Sequence, residues 1–195
     1  MSEYQEIVEQ SGDYRAVIKL DDSPEKPESY GMVPVLQIDS NGYGSVKAEA
    51  FNDQAEPFVH AFNVLSDLYH GNGYQYEVFE RYMRIFHGAT KVDSYNVGTI
   101  REYGYVGFDT AAWREEVGVG ESFEREDILE EVRAWAEGDV WGVGLEKRVT
   151  WSTDEEDYDD MDTWEEIDDG FVWGFYGHRW AEQEALDSLK AQLAK

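Results

Sequence analysis

A chain of 195 residues with 43 Asp and Glu against 16 Lys and Arg carries a formal net charge of −27, which sets it against free nucleic acid and anionic lipid as partners. Its 42% hydrophobic and 15% aromatic residues argue against a disordered acidic tail and call for a folded core. With no cysteine it has no disulfide, no thiolate nucleophile and no thiolate zinc site.

Residues 1–12 are polar and read as a loose N-terminus. Glu3, Glu6, Glu9 and Asp13 interrupt any apolar stretch there, so no signal peptide is expected. Nowhere does an apolar run approach the roughly 18 residues of a membrane span, and the expected location is cytoplasmic. Tyr14, Ala16, Ile18 and Leu20 alternate and predict a strand. Pro24 and Pro27 mark 21–30 as a loop. Strands are predicted over 33–38 and 45–51, joined by a turn at Asn41-Gly-Tyr-Gly44. Glu56-Pro57 opens a helix with Phe58, Phe62, Leu65 and Leu68 on one face. A second helix, 76–87, places Phe79, Tyr82, Met83 and Phe86 together and ends at Gly88. Gly71-Asn-Gly73 between them predicts an antiparallel helical hairpin.

Strands follow at 91–97 and 100–108, and Asp109-Thr110 caps a short helix over 111–117. An amphipathic helix is predicted over 124–137, with Ile128, Leu129, Val132, Trp135 and Ala136 buried. The strand over 139–151 puts Trp141, Val143, Leu145, Val149 and Trp151 on one face. Residues 152–163 form an acidic loop. A last strand, about 164–176, aligns Phe171, Trp173 and Phe175, with Trp141, Trp151 and Trp173 expected to be buried. The final helix, about 179–194, buries Leu186, Leu189 and Leu193. This order predicts a single α+β domain: a mainly antiparallel sheet with about five helices packed on it.

Five phrases stand out: Arg81-Tyr-Met-Arg-Ile-Phe-His-Gly88, Tyr105-Val-Gly-Phe-Asp-Thr-Ala-Ala-Trp-Arg114, Trp135-Ala-Glu-Gly-Asp-Val-Trp-Gly142, Arg148-Val-Thr-Trp151 and Trp173-Gly-Phe-Tyr-Gly177. Together they resemble a family of small uncharacterised acidic proteins carried by phages and other mobile elements of actinobacteria, over about residues 75–190. The resemblance implies a phage accessory protein and names no chemistry.

Catalytic motifs are missing. No His-Glu-x-x-His, no Gly-x-Ser-x-Gly and no phosphate loop occurs, and Gly142-Val-Gly144 falls inside a strand. His60 is expected on a packed helix, and His70 and His87 just before helix-ending glycines, so they and His178 read as structural. Asp154-Glu-Glu-Asp-Tyr-Asp-Asp160 offers hard oxygen ligands. A calcium loop starting at Asp154 would have its Glu at 165 but Asp159 where Gly is required, so no metal and no cofactor is expected.

The acids themselves are the candidate site. Glu126, Asp127, Glu130, Glu131 and Glu137 fall away from the apolar stripe of the 124–137 helix, where neighbours at i+3 and i+4 stand about 5–6 Å apart. Asp154, Glu155, Glu156, Asp157, Asp159, Asp160 and Asp162 would extend the row; from Asp154 to Asp169 eleven of sixteen residues are acidic. In composition the chain is similar to phage anti-restriction proteins that mimic DNA. The expected partner is a basic nucleic-acid-binding protein, such as a host defence enzyme, inhibited without catalysis, without direct nucleic-acid contact and without a membrane. Self-association into a homodimer stays open. Two other readings stand beside it: a regulatory module docking through Trp141, Trp151, Trp164 and Trp173, or an acidic skin adapted to salt, with 7 Lys and 9 Arg. An enzyme would need a mixed-charge cleft around Arg114, His87 or His178.

Overall fold

A computed structural model of the chain describes residues 4–27, 31–40, 46–69, 74–97, 103–120, 123, 125–151, 161–167 and 170–195. Among them are nine strands, all paired antiparallel in two sheets, and five α-helices, the α+β class that the sequence predicts. The chain folds as two compact units: Met1–Lys26 with Ala134–Lys195, and Pro27–Arg133.

The first unit joins the two chain ends. Strand β1 is Gln5–Ser11 and β2 is Tyr14–Leu20. Gln5–Ser11 are therefore a strand rather than loose chain; Ile7 and Val8 give little sequence signal because charged and amide residues surround them, as befits a sheet edge. Numbering onward with the second unit's elements in place, β7 is Val140–Trp151, β8 Met161–Glu166, β9 Val172–Tyr176 and helix α5 His178–Leu193. Strand β7 is central. One side pairs with β2, Tyr14 opposite Lys147 and Leu20 opposite Trp141. Its other side carries β9 along 140–143 and β8 along 146–151. The single last strand predicted over 164–176 is thus one edge broken in two, and 161–163 belong to a strand rather than a loop. Residues 152–160 lie outside the described residues.

Helix α5 covers one face of this sheet through Ala181, Ala185 and Leu189, spaced four apart, against Ala16, Ile18, Trp141 and Val143. Alanine at two of three contacts lets the helix lie close to the strands. Leu193, expected to be buried, is exposed one turn beyond the stripe. Trp151 and Trp173 are also exposed, at 59% and 50%, against 6% for Trp141. The reason for Trp151 is position: burial along β7 fades after Glu146. Phe175 joins the α5 face while Trp173 packs on Gly142, so the aromatics at 171, 173 and 175 do not share a side. The register shifts there, and Gly174, at φ +93°, is the extra residue.

The second unit holds β3 (Val35–Ser40), β4 (Val46–Ala50), α1 (Glu56–Tyr69), α2 (Tyr74–His87), β5 (Val92–Asn96), β6 (Tyr103–Phe108) and α3 (Ala111–Val117). The strands order β4-β3-β6-β5. The predicted turn at 41–44 and His70–Gly73 lie outside the described residues. Phe62, Phe79 and Phe108 are fully buried and meet edge to face, with Phe62–Phe79 at 5.2 Å and Phe79–Phe108 at 5.6 Å. Leu68 and Phe86, assigned to the apolar stripes, are 69% and 71% exposed. Polar residues take part of that face instead. The Asn63 amide donates to Ala48 O and accepts from Ala48 N, and Ser66 donates to Val46 O. These bonds occupy groups on β4 as a neighbouring strand would. Thr110 caps α3 as predicted, accepting from Trp113 N.

Helix α4 spans only Glu130–Glu137, not 124–137. Residues 125–129 approach it as irregular chain that turns at Ile128–Leu129, with the Asp127 carboxylate accepting from Leu129 N. The Lys91 ammonium donates to the carbonyls of Arg125 and Glu126, which holds that segment out of the helix. Leu129 is then laid on Gly107, where an added Cβ would stand 2.6 Å from Leu129 Cδ2.

Candidate functional site

The structure separates the predicted acidic residues into three groups. Glu130, Glu131 and Glu137 are on α4, but Glu126 and Asp127 precede it. Two of these carboxylates already hold cations: Asp127 pairs with Arg133 at 3.1 Å, and Glu131 with Arg125 at 3.1 Å. A regular helical row of solvent-facing carboxylates is therefore not formed. Asp162 sits on β8, accepting from Thr150 Oγ1 at 2.6 Å. Asp154, Glu155, Glu156, Asp157, Asp159 and Asp160 lie outside the described residues.

Internal pairing of cations is general. Arg15, Lys19, Lys47, Arg84, Lys91, Arg114, Arg125, Arg133, Arg148 and Lys190 each have a carboxylate within 4 Å. The most buried is Arg114 with Asp109, whose side chains are 7% and 0% exposed. The Asp13 hydrogen bond raises the Arg148 pKa further above its usual value, and Asp162 adds to it. The chain's 43 acids thus outnumber its 16 Lys and Arg, ten of which hold carboxylates among the described residues.

His87 and His178 have neighbours of a structural kind. His87 Nε2 is 3.0 Å from the Tyr82 hydroxyl, and its ring meets Phe58 edge-on. His178 opens α5, its backbone N–H donating to Asp139, its ring against Trp141 and its Nε2 3.1 Å from Glu6. His60 is exposed on α1 rather than packed. Among the described residues, no three His, Asp or Glu converge as a metal-ligating group. No helix among them is long and apolar enough to cross a membrane.

Two features escaped the sequence reading, both in the first unit. On the sheet face opposite α5, aromatic rings lie over glycines: an added Cβ would stand 2.5 Å from the Trp173 ring at Gly142 and 2.9 Å from Phe171 at Gly144. Cations cover the aromatics in turn, Lys19 Nζ at 4.0 Å from the Phe171 ring centre and Arg15 at 4.4 Å from that of Trp164. Arg15 also bonds Glu146, which accepts from Gln5 as well. The signal was present as spacing: glycines at 142 and 144, aromatics at 171 and 173. The second feature is a cavity of about 360 Å³ between β7, the break in the β8–β9 edge, and α5. Its walls are Val143, Leu145, Phe171, Val172 and Phe175, and Glu184 and Ser188 supply its polar side. No protein-family model, no curated protein and no solved structure matches the chain.

Proposed function

We propose that the protein is a non-catalytic binding protein that presents carboxylates to the nucleic-acid-binding face of a basic protein. The observation that carries this reading is the internal use of cations. With ten of them paired to carboxylates, the surplus charge has no counterpart within the chain. A partner rich in Lys and Arg supplies one, as DNA phosphates otherwise would. The weight falls on the segment between β7 and β8 and not on α4 and the turn before it, because arginines already engage Asp127 and Glu131.

The test is competition. A DNA-binding protein captured by this chain should be released by duplex DNA, while the chain itself does not bind that DNA. Reversing Asp154, Glu155 and Glu156 to lysine should weaken binding at least about tenfold, or ~1.4 kcal/mol. The same change at Asp53, Glu56 and Glu77 should cost much less. Equal losses from the two sets would reduce the effect to net charge and end the mimicry reading.

A second reading has its own observation. Trp151 and Met161 face each other across β7 and β8, 59% and 70% exposed. A docking module would use them, and its binding would persist at high salt and fail on Trp151→Ala.

A further inference from the structure

We infer that the cavity beside α5 is a binding site for an apolar group that carries a cation, an organic ammonium or guanidinium. Its origin is the broken edge. Strand β9 pairs with β7 up to Val143–Val172, and β8 takes over only at Glu146–Glu166. Between these pairs, Gly144 and Leu145 face no paired strand residue on that edge, and the Ile167 N–H donates to Leu145 O at 3.0 Å across it. Gly144 contributes no side chain to fill the gap, and Gly170, at φ +84°, turns the chain away. The space left behind is walled by aliphatic and aromatic carbon from Val143, Leu145, Phe171 and Phe175. At about 360 Å³ it falls at the small end of ligand pockets, suited to one ring or a branched aliphatic group.

The polar side of the cavity fixes the charge of the occupant. Glu184 and Ser188 are one turn apart on α5 and both line the space. Neighbouring Asp187 is occupied by Lys190 at 2.9 Å, and Gln183 also donates to it. Glu184 has no cation partner among the described residues, although it borders an apolar hollow. The Glu166 carboxylate, 3.4 Å from where a Gly170 Cβ would stand, is already held by Lys19 at 3.0 Å. Among the described residues that line the space, Glu184 alone is ionisable, so an anionic ligand would meet its carboxylate and a cation would pair with it. This site does not depend on the proposed function. An amine of low mass and a basic side chain of a protein share its chemistry.

The probes are 3-phenylpropylamine, 3-phenylpropionate and the capped tripeptide Lys-Phe-Lys, each titrated into the full chain and followed by amide chemical shifts. The amine should bind saturably, with its shifts centred on Gly144, Ile167, Gly170 and Glu184, and the carboxylate should not. Glu184→Gln, an exposed change that spares the fold, should weaken the amine about two- to fivefold, the range of a part-exposed ion pair. Ser188→Leu, which fills the hollow, should abolish saturation. Binding of the tripeptide at the same amides would identify a protein side chain as an occupant; binding of the amine alone would identify a free amine. If amine and carboxylate bind alike, if neither saturates, or if Glu184→Gln leaves the amine unaffected, the assignment is wrong.

Discussion

Asp109 is where four segments of the second unit meet. Its carboxylate accepts from Thr90 Oγ1 at 2.6 Å, from Thr90 N and Lys91 N, and from Arg114, whose other nitrogen reaches Gly88 O at the end of α2. Burial alone would raise its pKa, but the bonds from Thr90, Lys91 and Arg114 outweigh it and hold the carboxyl below the usual 3.8. A carboxyl depressed in the folded state stabilises fully above its unfolded value, and that stabilisation is lost as pH falls through the folded value. Asp109→Ala leaves Arg114 buried without its counter-charge and should cost about 3–5 kcal/mol in urea unfolding at pH 7. Asp109→Leu with Arg114→Met should recover most of this, and the gap between wild type and the alanine variant should narrow once pH falls below the carboxylate range. A loss below about 0.5 kcal/mol, ordinary for a surface change, would show that the pair does not hold these segments together. The sequence marks Asp109-Thr110 as a cap, and Thr110 fills that role. It gives no sign that Asp109 reaches back to residue 90, because such a contact has no local periodicity.

At the scale of elements, legibility followed the cleanness of the pattern. Strands β2 and β7, one alternating and one buried through its first half, were located from the sequence to within a residue. Strand β1 was missed because a sheet edge needs few apolar residues. Helix α4 was drawn too long because residues 125–129 share its apolar spacing, yet Lys91 ties their carbonyls elsewhere. The glycine–aromatic face of β7 carries a further test. Gly142→Val places a branched side chain where the Trp173 ring lies, and overpacking of this kind costs about 1–3 kcal/mol. Since valine favours strands, the same substitution in a Trp173→Ala background should cost much less or nothing. Thermal melts of the four proteins give the coupling. Additive losses would mean that the ring and the glycine do not depend on each other.

Across the whole molecule, charge is the property that the sequence states most plainly and the one whose placement it states least. The acids could be counted, but their partners could not, since Arg15–Glu146 and Arg148–Asp13 are each separated by more than 130 residues. The broken edge that opens the cavity was invisible for the same reason. Salt acts on both sides of this balance. It weakens exposed ion pairs, each worth about 0–1 kcal/mol, and it also screens repulsion among the surplus carboxylates. Buried pairs such as Arg114–Asp109 are screened much less. At a net charge of −27 the repulsion extends over many acids at once, so its relief should prevail. The screening length falls from about 30 Å at 0.01 M salt to about 8 Å at 0.15 M. The melting temperature should therefore rise by several degrees over that interval and then level off, since further salt shortens a reach already close to the spacing of neighbouring charges. A rise that continues steeply into molar salt would favour adaptation of the acidic skin to salt over a partner's need for it. A fall would mean that ion pairs govern the folded state, and that the surplus charge exerts too little repulsion to demand a basic partner.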